Sequence, residues 1–326
     1  MIKRLKNKGK AAELFSLRDK ILGKRKGTQD QVVINDPETG EDVYTPEEIK
    51  KVSLKYLVNL LKTKVPKPEY AEIIAKKKEL HYKRMEEEIT NDIDELPIES
   101  FMKTLEIIQK KPGNKYQFVT GSGESLKAAL LKLFQIIWKT EKIPVSWHKS
   151  TVTQLYKGSG LISDLSSMRH IHSRDILAKV FSQIVLYHAK DNLLKNMSKY
   201  QIACKPGHRP SEHLFVLKSV FAQYKKNKKG LILSGYDIST FFDSEDIYDV
   251  LGEVYTNDVK GKVYRLLFEL NKNARIEVNT PVGTSQSADT GPIVTQGSVE
   301  AGVMSSVSID NGTNVTFVNS DCEVFY

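Results

Sequence analysis

The stretch YDISTFFDSEDIYDVL, Tyr236 to Leu251, places one carboxylate, Asp237, at the end of an apolar run that begins near Leu231. Phe242 and Asp243 follow a few residues later. The pattern predicts a short strand ending in an acid, a turn, and a helix starting near Ser244. Enzymes that transfer phosphoryl groups present metal-binding carboxylates in this way, because hard cations take oxygen ligands and a strand end holds one in place. Taken alone, a strand-end aspartate serves more often as a turn or cap residue. Asp243 and Ser244 fit helix caps better than ligands. Asp237 therefore needs partners elsewhere in the chain.

A second stretch, GPIVTQGSVEAGVMSS from Gly291 to Ser306, sets a glycine and a short β-branched run before Gln296-Gly297 and a helix of small residues. Small residues let a flat ligand approach the backbone closely. The plain alternative is a turn before a small-residue helix.

Periodicity indicates the elements that must position these residues. Thr151 to Tyr156 alternates as a strand running into Lys157, and Leu231–Leu233 and Glu277-Val278 are further short strand candidates. Helices are expected at Ile176 to Asn192, Glu212 to Lys226, Asp246 to Tyr255 and Lys260 to Asn271. Earlier ones are expected at Leu126 to Thr140 and from Pro97 to about Lys111. Gly121 to Ser125 reads as the cap of the Leu126 helix, since no Gly-Lys-Ser/Thr follows to make a phosphate loop. Residues 1–92 read as charged and mostly helical. Within them NDPETG, Asn35 to Gly40, is a turn or small hairpin, and Thr45-Pro46 starts a helix reaching Leu61. Tyr70 to Ile89 is so charged that it is expected to be exposed or to lie along a partner. The expected fold class is α+β.

In order and spacing these stretches resemble the reverse transcriptases of non-LTR retrotransposons. The resemblance runs through IPVSW, Ile143 to Trp147, the strand ending at Lys157, and Met168-Arg169-His170-Ile171, where the family has tyrosine-arginine-proline-isoleucine. It continues through QIACKPGHRP, Gln201 to Pro210, with Cys204-Lys205 where glycine and phenylalanine are usual, then YDISTFF, with Thr240-Phe241 in place of Lys-Ala, and Gln296-Gly297. It covers roughly residues 93–326 and implies right-hand polymerase fingers and a partial palm there, with 1–92 as a basic helical linker upstream. The same resemblance implies site roles. Asp237 is the catalytic residue and magnesium ligand, Phe242 the steric gate beneath the sugar, and Gln296 and Gly297 lie over the nucleotide base and template. Lys157 and Arg169 grip the incoming triphosphate, and Lys205, His208 and Arg209 meet the template backbone. RNA template, DNA primer and deoxynucleoside triphosphates are the implied partners, and Mg2+ the implied cofactor.

In the family a hairpin with two adjacent aspartates follows the glutamine-glycine segment, yet no Asp-Asp pair occurs in these 326 residues. Two-metal catalysis needs several carboxylates around ions roughly 3.5–4 Å apart, more than Asp237 alone supplies. The expectation is a C-terminally truncated polymerase domain, catalytically incomplete by itself. Two other readings stand beside it. One is a non-catalytic nucleic-acid-binding remnant of a degenerate element. The other is a chain that fails to fold stably because its palm sheet is cut and an edge exposed.

A net charge of +9 suits a polyanionic partner, since Lys and Arg neutralise phosphates and release counterions. An ordinary basic surface is as common an explanation. Two cysteines, Cys204 and Cys322, make neither a disulfide framework nor a zinc set, which points to an intracellular location, nucleus or cytoplasm. No apolar run approaches the roughly 18 residues of a membrane span. The opening MIKRLKNKGK is basic without a following apolar core, so it reads as a nuclear-localisation or nucleic-acid patch, or a solvated terminus, rather than a signal peptide.

Overall fold

The computed structural model describes residues 33–61, 68–90, 92–111, 115–233, 235, 241, 245–295 and 297–312. The NDPETG turn joins a small hairpin of β1 (Ile34–Asn35) and β2 (Asp42–Val43), with Gly40 supplying the positive φ of 74° that closes it. Helix α1 (Pro46–Leu61) follows, and the Thr45 hydroxyl donates to Glu48 at 2.6 Å while accepting from the Glu48 N–H at 3.4 Å, a reciprocal cap. Its buried residues Ile49, Ser53, Leu57 and Leu61 recur every fourth position and so form one stripe. Leu57 and Leu61 cluster with Val152, Ile276 and Val278 of the sheet and with Ile293.

Helix α2 (Pro68–Glu86) is exposed along most of its length, as its charge implies, but His81 is buried. The His81 ring lies 4.3 Å from that of Phe268, and its Nδ1 is 2.7 Å from the Tyr264 hydroxyl. Segment 92–96 is likewise tied down. Asp92 accepts the Lys262 N–H at 2.7 Å and Leu96 enters the core.

The main core gathers α3 (Ile98–Gln109), α4 (Gln117–Thr120), α5 (Glu124–Thr140), α6 (Ile176–Lys195), α8 (Ile247–Thr256), α9 (Gly261–Glu269) and α10 (Ala301–Gly312). Helix α6 is its pillar, buried on most sides through residues such as Phe181, Ile184, Val185 and Leu193. Phe134 of α5 meets the rings of Phe181 and Trp147 at 5.7 and 6.2 Å. Helix α7 (Pro210–Lys226) differs from the rest, because none of its residues is buried.

The sheet contains β3 (Lys149–Tyr156), β4 (Met168–Arg174), β5 (Ala274–Thr280), β6 (Gly283–Thr284) and β7 (Ala288–Gly291). β4 is the outer strand, antiparallel to β3, which runs parallel to β5. β6 and β7 return antiparallel along the far edge of β5, pairing with its end and its beginning respectively. The protein is thus α+β with a mixed sheet. Periodicity did not indicate β4, β6 or β7. The strand expected at Leu231–Leu233 does not form there. Ile232 is 94% exposed and Leu233 58%, since a short apolar run becomes a strand only where a neighbour covers it and completes its hydrogen bonds.

Candidate functional site

Alternation along the β3–β4 pair divides the hairpin into two faces. Val152, His170, His172 and Arg174 point into the protein, where the His170 ring meets Tyr56 of α1 at 5.8 Å. Leu155, paired directly with Arg169, lies on the open face with Ile171. The pairing continues past β3 through the Lys157 N–H to the Ser167 carbonyl at 2.9 Å, so Lys157 falls on the Leu155 face as well. Lys157 and Arg169 are therefore two exposed cations at one end of one open sheet face. The Lys157 ammonium donates to the Ser166 carbonyl at 2.8 Å, and Arg169 forms no ion pair with a described acid. Asp164 stands nearby. Hydrogen bonds from Ser166 hold its carboxyl below the usual range, with the Lys157 charge adding to the effect.

Gly297 sits against the outer strand. Its φ is +83°, and a Cβ there would stand 2.8 Å from the His172 carbonyl oxygen, so both the backbone angle and the close approach require glycine. The segment is anchored on each side of this turn. Arg174 at the end of β4 is buried and its Nη2 donates to Thr295 Oγ1 at 2.7 Å, to Asn271 Oδ1 at 3.1 Å and to the Leu270 carbonyl at 3.2 Å. Its Nη1 meets Glu300 Oε1 at 3.3 Å, and Glu300 is wholly buried. Burial opposes the charge on Arg174 and Glu300 supports it. One buried ion pair thus fixes Thr295 and Glu300, and the Gly297 turn between them, to the end of β4.

Lys205, His208 and Arg209 lie in the loop before α7. The Arg209 N–H and His208 Nδ1 bond the two carboxylate oxygens of Glu212 at 2.9 and 2.8 Å, closing the start of the helix. Lys205 is half-buried and the other two are exposed. This loop adjoins the first turn of α10, where a Cβ on Gly302 would meet the Cys204 sulfur at 2.7 Å. Gly297 and the Lys205 loop are thereby brought to the same end of α10.

Asp237, Phe242 and Gln296 lie outside the described residues. The closest described acid after Asp237 is Glu245, half-buried and accepting from the Ser305 hydroxyl. Burial pushes its carboxyl up to about 7. Among the described residues no group of three or more His, Cys, Asp or Glu side chains is arranged to hold a metal ion, and no helix is long and apolar enough to cross a membrane.

Sequence reasoning missed the buried polar set His148, His170, His172, Arg174 and Glu300. The alternation His170-His172-Arg174 was the available signal, hidden because polar residues on an inward strand face read as surface. A concavity of about 560 Å3 lies at the opposite end of β3, lined in part by Lys142, His148, Lys272 and Arg275. Its charges are largely engaged, Lys272 with Glu269 at 2.5 Å and Arg275 with Asp289 at 2.9 Å.

Comparison of the sequence with protein-family models finds no match, and comparison with curated proteins finds none either.

Proposed function

We propose that the chain carries a nucleotidyl-transfer module of the non-LTR reverse-transcriptase kind, with right-hand fingers and a partial palm, in which Lys157 and Arg169 hold the phosphates of a deoxynucleoside triphosphate against an RNA template and DNA primer. The observation that supports it is the pair of exposed cations on one open face of the β3–β4 hairpin. A guanidinium offers a planar fork to phosphate oxygens and an ammonium a movable point charge. Together they stabilise a group whose charge redistributes during transfer. Gly297, held beside β4 by the Arg174–Glu300 pair, offers bare backbone on which a base or sugar can lie. Phe242 and Gln296 are proposed on the nucleotide side of this site.

Asp237 is the proposed magnesium ligand, and magnesium would supply charge neutralisation at the transferred phosphate. The described carboxylates do not complete the set that two such ions require. Glu245 binds Ser305, Glu300 binds Arg174, and Glu277 binds Lys149 and Thr151. The chain's own contribution is therefore binding and orientation of phosphates.

Calorimetric titration of dATP with magnesium tests this. Binding is expected, and the Lys157→Ala/Arg169→Ala variant is expected to weaken it by about tenfold or more. Equal affinity in the two proteins removes the triphosphate role. Primer extension on an RNA template is expected to yield no product, and robust synthesis abolished by Asp237→Ala would overturn the incomplete-centre reading.

A further inference from the structure

Residues 199–230 carry eight Lys and Arg side chains against a single acid, Glu212, and so hold seven of the chain's nine net positive charges. They comprise the loop from Lys199 and the helix α7, whose residues are all exposed or half-buried. Helical spacing puts Leu214, Lys218, Phe221 and Lys225 on one outward stripe, an apolar group alternating with a cation at each turn. Leu214 is 56% exposed and Phe221 45%, with Phe215 beside the stripe at 72%. None of Lys218, Lys225, Lys226, Lys228 and Lys229 forms an ion pair with a described acid. In the loop the Lys199 ammonium already sits 4.9 Å from the ring of exposed Tyr200.

We infer that the outward stripe of α7 is a binding surface for single-stranded nucleic acid. The charge density selects a polyanion, and the exposed phenylalanines offer faces on which unpaired bases stack, which a duplex cannot use because its bases are already stacked. Lys218 and Lys225 stand two helical turns apart, about 10.5 Å, so each can meet a different phosphate of a strand lying along the helix, with Phe221 between them for a base. Nothing in this surface reads a particular base, so binding is independent of sequence. It shares with the proposed function only the nucleic-acid partner, and it neither uses Lys157 and Arg169 nor requires transfer chemistry.

Fluorescence anisotropy with a labelled oligo(U) and with a duplex of equal length tests it. The full chain is expected to prefer the single strand, and Phe215→Leu/Phe221→Leu to lose about tenfold in affinity for it, while Phe215→Tyr/Phe221→Tyr retains affinity. The Lys218→Ala/Lys225→Ala variant is expected to lower the slope of log affinity against log salt by about 1.4. These residues are exposed, and unchanged circular dichroism and melting temperature would exclude misfolding as the cause. Equal binding by the leucine variant and the native chain overturns the inference, as does equal binding of duplex and single strand. Sedimentation showing a dimer of the native chain that the leucine variant loses would also overturn it, making this face an interface between copies. If Lys157→Ala/Arg169→Ala abolishes dATP binding while the α7 variants leave oligo(U) binding intact, the inference fails and the proposed function stands. The reverse result separates them the other way.

Discussion

Arg174 and Glu300 place two charges where water cannot reach them, and the desolvation this costs is offset only while both are present. Removing one leaves a buried charge without compensation. Glu300→Gln is expected to destabilise the fold by about 3–5 kcal/mol, and Arg174→Met/Glu300→Met by less than Glu300→Gln alone, measured by urea denaturation. A double variant weaker than the single one would show that the pair contributes through packing rather than charge. The buried histidines give a second prediction at this scale. Burial pushes His81, His148, His170 and His172 down to about 4 from an ordinary value of 6.5. The unfolded chain therefore takes up protons near pH 6.5 and the folded chain only near 4, so stability is whole above 6.5 and falls as pH drops through that window. Four such groups can lose an amount comparable to a typical domain stability of about 5–15 kcal/mol. A urea midpoint at pH 5 equal to that at pH 7.5 would contradict this.

Among the elements, α1 shows how helix and sheet depend on each other. Its Leu57 and Leu61 cover the inward face of β3 and β5, so α1 would be a marginal helix alone and the sheet would expose Val152, Ile276 and Val278 without it. Leu57→Ala is expected to cost about 2–5 kcal/mol, read from the shift in denaturation midpoint. A cost below about 1 kcal/mol would mean that the sheet is covered some other way. Helix α7 illustrates the opposite case, since its sequence makes a helix without a buried face. The cap at Pro210 and Glu212 sets its start, and its last turn carries Lys225 and Lys226 where cations favour the helix dipole.

Across the whole molecule, the charge is concentrated rather than spread. Seven of nine net charges in residues 199–230 predict binding to polyanions that weakens steeply with salt, by about a hundredfold or more between 50 and 200 mM for six or more phosphate contacts. Filter binding at the two salt concentrations measures this. Affinity unchanged by salt would remove phosphate neutralisation as the source of binding. The two candidate surfaces, the β3–β4 face and α7, are separate in their residues and can be tested one at a time.

Much of the helical content could be read directly, because caps and apolar periodicity are local. Thr45-Pro46 started α1, Asp246 caps α8 through the Tyr248 N–H, and the apolar run from Ile176 became the buried α6. Strand β3 was also evident from its alternation. Of the candidate site, the residue types at Lys157, Arg169, Gly297, Lys205, His208 and Arg209 came from pattern and resemblance, while Asp237, Phe242 and Gln296 fall outside the described residues. Tertiary structure alone decided that Lys157 and Arg169 share one face, that β4, β6 and β7 join the sheet, and that Leu231–Leu233 stays out of it. It also decided that Arg174 and Glu300, 126 positions apart, hold the Gly297 turn. The physical reason is common to all of these. A cap or a helical stripe is settled within a few residues, whereas strand pairing and burial of a charge depend on what distant segments bring to the same place.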